Sequence, residues 1–412
     1  MPVTRLQSDT SGGAGKLRRS LGTGLLTLYG LGVTVGAGIY VLVGTTAAQA
    51  GAYAPVSFLL AAIVVAFTAF SYAELATRYP VSAGEAAYVE AGFRSGRLAV
   101  AVGLAVAVSG MVSAAAVVIG AASYLQGLIA APQAVLTVAI VGIMALIAIW
   151  GITQSITVAA IITVIEIGGL VFLSAWGFGL APPLGASLSE MVPPLTGAHW
   201  SGIGAASLLA FFAFIGFEDM ANVAEEVKDP VRTIPRAIVL TLVVASLLYI
   251  VTTAAVLVAV PVNELAASAA PLSLVFQTAP EPVRQGFAII AIVATVNGVL
   301  IQMIMASRVL FGLADQGHLP PVLARVSTRT QTPVVATLLV ACLILGLALA
   351  VPIAALAERT SQIVLLVFLV VNVALIRLKW RGEGGAGHFT VPLVVPVMGV
   401  LTSLALFATA WL

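Results

Sequence analysis

Apolar residues along this chain come in long runs separated by short polar connections. The runs do not alternate with period two, and most continue for close to twenty residues. At about twenty residues per bilayer crossing, they predict eleven membrane helices, at roughly 22–50, 55–77, 98–128, 134–150, 156–179, 201–224, 237–260, 286–314, 333–351, 361–379 and 391–411. The third and eighth are long enough to tilt or protrude. A membrane β-barrel is disfavoured, because its strands need alternating segments. The inner connections 78–97, 225–236 and 315–332 each have room for a short amphipathic helix.

Two spans depart from the pattern of a plain apolar anchor. The first carries Gly30, Gly32, Gly36, Gly38 and Gly44, although a glycine in a helix interior costs about 1 kcal/mol against alanine. The pair around Ala37 sits mid-span and predicts a break there. The sixth span places Gly216, Glu218 and Asp219 among phenylalanines, with Asn222 following. A charge within a span costs about 2.5–3.5 kcal/mol on insertion scales. Interruptions at corresponding positions, five spans apart, point to a binding site between inverted five-helix repeats. At such a break the free N–H groups of one half-helix suit a carboxylate, and free carbonyls of the other suit an ammonium group. An α-amino acid presents both. Close helix packing is the alternative reading of the glycines in span one; the matching interruption in span six weakens it.

Composition narrows the class further. Hydrophobic residues make up 61% of the 412 and charged residues only 8%, against about 25% charged in soluble domains; the mean hydropathy is +1.14. The single Cys342 excludes a disulfide framework, and His199, His318 and His388 lie outside the predicted spans without metal-ligand spacing. No phosphate-binding loop and no soluble domain is evident, which argues against a fused ATPase. Residues 1–20 read as a disordered tail with no cleavable signal peptide. With the N-terminus inside, 16 of the 18 lysines and arginines fall on the inner side, Arg284 and Arg359 being the exceptions. That bias predicts a cytoplasmic N-terminus, an outer C-terminus and a multi-pass protein of the inner (plasma) membrane.

Four segments carry a resemblance. Span one, with Gly36–Ala37–Gly38–Ile39–Tyr40, resembles the first helix of amino acid–polyamine–organocation permeases. Ser71–Pro80 (SYAELATRYP), Phe214–Ile238 (FIGFEDMANVAEEVKDPVRTIPRAI) and Ser307–Pro320 (SRVLFGLADQGHLP) are similar to three further stretches of that superfamily, in the same order. Within it, the chain resembles bacterial cationic-amino-acid-transporter-like members. The resemblance implies a LeuT-type fold: helices 1–5 (residues 21–180) and 6–10 (200–380) as inverted repeats, helices 1 and 6 broken, and a peripheral eleventh at 390–412. It implies that the amides of Gly36, Ala37, Gly38 and Ile39 receive the substrate carboxylate and that the carbonyls of Phe212, Ala213 and Ile215 receive the amine. Phe212 corresponds to an aromatic lid. Ala37, Ala213 and Gly216 leave room for a side chain. Members of the superfamily usually have twelve spans, one more than is counted here, and the twelfth lies outside the repeats.

Glu166 departs from the family pattern, since several relatives place lysine near this point of span five. A carboxyl whose ionisation depends on access to water is a natural proton carrier, with Thr34 or a polar residue of span eight as partner. A permanently protonated carboxyl bonded to a neighbouring backbone and a sodium ligand are the other readings. Glu218 reads as gate or as helix glue, Asp219 as a partner for an inner basic residue or a cationic substrate, and Glu74 as a bond to neighbouring backbone or a basic loop residue. The function expected is proton-coupled uptake of small or neutral L-amino acids, with no cofactor, no metal and no nucleic-acid partner. Exchange without ion coupling and transport of cationic amino acids or polyamines are alternatives. A channel and a membrane-embedded enzyme are the competing classes, and neither finds its motif.

Overall fold

A computed structural model describes residues 21–81, 84–150, 156–180, 189–194, 197–224, 227–315, 317–327, 330, 332–382 and 387–409. The tail 1–20, Pro182, Pro183, Glu225, Glu226, Arg329 and Leu412 lie outside the described residues. All named elements are helical: α1 (Thr23–Thr34), α2 (Ala37–Ala50), α3 (Ala54–Arg78), α4 (Gly84–Phe93), α5 (Gly96–Gln126), α6 (Gln133–Trp150), α7 (Ile156–Gly179), α8 (Trp200–Phe212), α9 (Asp219–Asn222), α10 (Pro230–Ala259), α11 (Val262–Ala267), α12 (Glu281–Asp315), α13 (Val334–Ala350), α14 (Ile353–Trp380) and α15 (Val394–Ala408). Six helical segments are long and apolar enough to cross a membrane, and α1, α6, α8, α13 and α15 are shorter apolar helices. Leu146, Ile161, Leu247, Ile289 and Leu401 point outward, more than half exposed, while Thr163, Glu166, Thr252 and Asn372 are buried. An apolar perimeter around a polar-bearing interior is the arrangement lipid requires.

Local chemistry sets many of the ends. Pro55 lies in the first turn of α3 and Pro230 begins α10, where the missing N–H costs nothing. Ser95 caps α5, its side chain accepting from the Leu98 N–H at 3.4 Å. Pro261 and Pro352 follow the last extended residues of α10 and α13, since a residue before proline avoids helical ψ.

Most span boundaries agree with expectation to within a few residues, with informative differences. Span seven starts at Pro230 rather than near 237, because Pro230 sits at the start of the helix and Pro235 is absorbed within it. Of the connections 78–97, 225–236 and 315–332, the first holds α4 and the third, among the described residues, a 3₁₀ turn at Pro321–Ala324. The hydropathy pattern did not predict α11 or the 3₁₀ segment Pro271–Phe276 between spans seven and eight.

The packing has a regularity. Helices five spans apart lie against each other: α3 on α10, α5 on α12, and α6 on α13. Other contacts come in corresponding pairs: α1–α7 with α8–α14, α1–α10 with α3–α8, and α5–α14 with α7–α12. The last helix, α15, packs on α3 and α14 at the periphery.

Buried polar groups tie this bundle together. Glu74 of α3 is fully buried and pairs with Arg78 at 2.5 Å and Lys379 of α14 at 2.7 Å, and it accepts from the Val391 N–H at 2.7 Å. It thus bonds both a basic residue and neighbouring backbone, as expected. Asn372 accepts from the Ser71 hydroxyl at 2.7 Å and donates to Thr68 Oγ1 at 2.9 Å. Arg377 and Arg381 donate to the Gly92 carbonyl at the end of α4, where a cation complements the helix dipole.

Candidate functional site at the two helix breaks

The first run is broken at Val35–Gly36, one residue before the expected centre. Thr34 ends α1, the Val35 N–H closes that helix onto the Leu31 carbonyl at 2.7 Å, and Gly36 turns the chain with ψ −138°. Ala37, Gly38 and Ile39 are already the first turn of α2, and no side chain caps it. Their N–H groups are the ones a helix leaves without internal partners. The four predicted amides therefore sit together at a helix N-terminus, where an anion is favoured.

The sixth run breaks after Phe212. Its last bonds tighten to the 3₁₀ pattern, with Ala213, Phe214 and Ile215 donating to Ala210, Phe211 and Phe212 at 2.9–3.2 Å. Gly216 then takes φ +121°, a region closed to other residues. The Glu218 carboxylate accepts from the Gly216 N–H at 2.8 Å and so locks the turn. One short turn, α9, follows from Asp219.

The two breaks touch. A Cβ on Gly38 would collide with the Cα of Ala213, and a Cβ on Gly216 would lie 2.6 Å from Val33 Cγ1. At Gly38 backbone meets backbone, while Gly216 lies against the side chain and carbonyl of Val33. Tyr249 of α10 joins the halves: its hydroxyl is 2.6 Å from the Thr34 carbonyl and 2.8 Å from the Ala213 carbonyl. Of the carbonyls expected to hold an amine, that of Ala213 thus already meets Tyr249, and that of Phe212 accepts from Ile215. Each carbonyl keeps a second lone pair.

Glu166 of α7 faces this region. The Tyr40 hydroxyl donates to the Glu166 backbone carbonyl at 3.1 Å, and Tyr124 of α5 donates to the Tyr40 carbonyl at 2.5 Å. One turn earlier, Gly32 lets α1 close onto Thr163. The Glu166 side chain is fully buried, and among the described residues neither carboxyl oxygen has a hydrogen-bond partner. Thr34 Oγ1 is likewise unpartnered, so the expected Thr34–Glu166 bond is not formed here. Asn297 and Gln302 of α12 also keep unpartnered buried atoms.

Two crevices flank the 213–218 turn. A narrow one, without room for a water, is lined by Val41, Leu42, Ala116, Val117, Phe212 and Ile353. A larger one, enclosing about 20 Å³ and partly open to solvent, lies beside Ile215, Glu218 and Asp219. Glu218 bonds the neck of the broken helix and also lines this crevice.

The sequence marks neither Tyr249 nor Tyr124, and Tyr40 only as the end of the Gly36–Tyr40 segment. Each is a fully or nearly fully buried tyrosine in an apolar run, and a phenol within a span needs a partner for its O–H; that signal was available.

Broken helices meeting inside a polar-cored, lipid-faced bundle define a multi-pass membrane permease. A profile described as amino acid permease matches residues 23–412, and the chain belongs to that family, within the amino acid–polyamine–organocation superfamily. It is 30% identical to the branched-chain amino acid permease BcaP of Bacillus subtilis, over 96% of this chain and 88% of that one. It is 32% identical to the vacuolar cationic amino acid transporter 4 of Arabidopsis thaliana, over 93% and 68%. It is 27% identical to the methylthioribose transporter of Bacillus subtilis, over 94% and 87%.

Proposed function

We propose that this permease is a secondary active transporter of small or neutral L-amino acids, working by alternating access around the two breaks and coupled to a proton carried by Glu166. The observation that carries the reading is the direct meeting of the uncapped start of α2 with the Ala213–Glu218 turn. It brings an electropositive helix end against the carbonyls of the 212–215 turn, each with a lone pair to spare, which matches an α-amino acid zwitterion.

Inverted five-helix repeats, residues 21–180 and 200–380, account for the packing. Under a two-fold operation that exchanges span n with span n + 5, the contacts 2–7, 3–8 and 4–9 map onto themselves and 1–5, 1–7 and 3–10 map onto 6–10, 6–2 and 8–5. The basic residues support a cytoplasmic N-terminus and, after eleven crossings, an outer C-terminus at the plasma membrane. The larger crevice then opens inward.

An unpartnered buried carboxyl beside the first break supports proton coupling, because such a group is most stable neutral and needs access to water to ionise. Cationic amino acids or amines are a second reading of the substrate, favoured by Glu218 and Asp219 at the inner crevice. Uptake of labelled amino acids into proteoliposomes tests the mechanism. The expected result is accumulation driven by an inward pH gradient, lost in Glu166→Gln while exchange persists. Uptake that ignores the gradient and requires internal amino acid establishes exchange instead, and accumulation unchanged in Glu166→Gln removes that residue from coupling.

A further inference from the structure

Span five lies across the first break and touches both of its halves. One side of α7 carries Thr163, Glu166 and Gly169 at three-residue spacing. Before the break, Gly32 of α1 comes so close to Thr163 that a Cβ there would strike its Oγ1. After the break, Gly169 leaves room for the hydroxyl of Tyr40 of α2, which donates to the Glu166 carbonyl at 3.1 Å. That carbonyl also accepts within the α7 ladder, so Tyr40 takes its second lone pair. Glu166 is thus held against both halves of span one, while its carboxyl oxygens have no partner among the described residues.

Tyr40 closes the first turn of α2, the turn that Ala37, Gly38 and Ile39 begin. Its ring is packed on two sides, against Phe287 of α12 at 6.2 Å and edge-on to Tyr124 of α5 at 6.5 Å. A ring held this way does not swing by itself. The Tyr40 hydroxyl therefore moves only as the start of α2 moves, and that start carries the amides of the first break.

We propose that Tyr40 is a positioning residue for proton coupling: its hydroxyl ties the helix end that receives the substrate carboxylate to the backbone of the proton carrier, so that Glu166 meets water only when the tie is released. The proposal rests on the reading of Glu166 as that carrier. With the tie made, α7 is closed on α2 and the carboxyl lies in a dry gap, where ionisation costs desolvation. With the tie broken, the two helices part and water reaches the acid. Tyr40 does not carry the proton itself, because its acceptor is a backbone carbonyl. The titratable groups that face the carboxyl are the hydroxyls of Tyr40 on α2 and Tyr249 on α10. Of the other elements packed on α7, the 3₁₀ segment Pro271–Phe276 has no titratable residue, α1 has only Tyr29, and α12 carries its charged residues toward its ends.

The test compares wild type, Tyr40→Phe, Glu166→Gln and the double variant, each as purified full-length protein, in detergent and in proteoliposomes. Labelled L-leucine, L-alanine and L-lysine are offered, and the one that wild type accumulates most is followed. Tyr40→Phe keeps the ring against Phe287 and Tyr124, and the Glu166 carbonyl keeps its bond within α7, so the variant folds. Its equilibrium affinity for the amino acid is expected to be unaltered. Half-maximal uptake is expected to move to more acidic outside pH by about one unit, a ten-fold weaker hold on the proton. In the Glu166→Gln background, where exchange is the remaining activity, adding Tyr40→Phe is expected to leave the exchange rate unaltered. A purely structural role for Tyr40 would lower affinity and uptake together and leave the pH profile in place. That result overturns the proposal, as does an unaltered profile in Tyr40→Phe or a loss of exchange in the double variant. Accumulation lost in Glu166→Gln but unaltered in Tyr40→Phe defeats the assignment of Tyr40 alone. Accumulation that survives Glu166→Gln, or accumulation of none of the three by wild type, defeats the coupling reading and Tyr40 with it.

Discussion

The hydroxyl of Tyr249 lies 2.6 Å from the carbonyl oxygen of Thr34, the last residue of α1, and the same hydroxyl reaches the Ala213 carbonyl at 2.8 Å in the other broken helix. One side chain of span seven therefore pins both breaks at once. Tyr249→Phe keeps the ring against Phe58 and Phe214 but leaves a buried carbonyl without its donor. A loss of about 1–3 kcal/mol is expected, read as a lower thermal unfolding midpoint, together with weaker substrate binding.

Gly38 and Gly216 admit no side chain, since Gly38 faces the Ala213 backbone and Gly216 faces Val33 at the end of α1. Gly38→Ala is expected to force the breaks apart at about 1–3 kcal/mol and to abolish saturable amino acid binding. Gly216→Ala adds the strain of a positive φ. A binding isotherm unchanged in Gly38→Ala would sink the site as described.

Stability and coupling should separate at Glu166. Its carboxyl is buried with no partner among the described residues, so Glu166→Leu removes a desolvation cost of about 1–3 kcal/mol. The variant is expected to be at least as heat-stable as wild type while losing accumulation driven by a pH gradient. Melting and proteoliposome uptake on one preparation check both halves.

At Glu74 the opposite holds. Replacing it by alanine strands Lys379 and Arg78 beside a buried space, and breaking a buried pair this way costs about 3–5 kcal/mol. Glu74→Ala is expected to express poorly. Glu74→Ala combined with Lys379→Met should recover part of the loss, measured as the yield of monodisperse protein.

Glu85, on α4 in the connection between spans two and three, has its carboxyl pushed up from 4.5 to about 7, by burial first, against the lowering effect of its own backbone bond and of the Tyr72 hydroxyl. Tyr72 from α3, Tyr88 from α4 and Glu218 from the turn face it. Because the folded form holds its proton more tightly than the unfolded form, this group contributes most below about 4.5, and its contribution falls as pH rises to about 7. The span corresponds to roughly 3 kcal/mol. Glu85→Gln should flatten that decline in a melting series over pH.

Much of this is legible in the sequence. Hydropathy placed the spans, because a helix in lipid must be apolar along its length and must satisfy its own backbone. The oddities of composition marked the site: Gly36 and Gly38 in one run, Gly216 and Glu218 in another. The roles of Tyr249, Tyr40 and Tyr124 are not legible there, because a tyrosine in a span reads as ordinary until its partner is known, and each partner here is a backbone carbonyl on a helix remote in sequence.

By itself the sequence determined that the chain is a bundle of membrane helices with two of them interrupted, since transfer energy and helix propensity act residue by residue. Only the tertiary structure decided that the interruptions meet, that the Glu166 carboxyl lies beside them without a partner among the described residues, and that Tyr40 joins the Glu166 backbone to the second half of span one. Those are relations between residues far apart in the chain, and only the packing of whole helices brings them within a few ångströms.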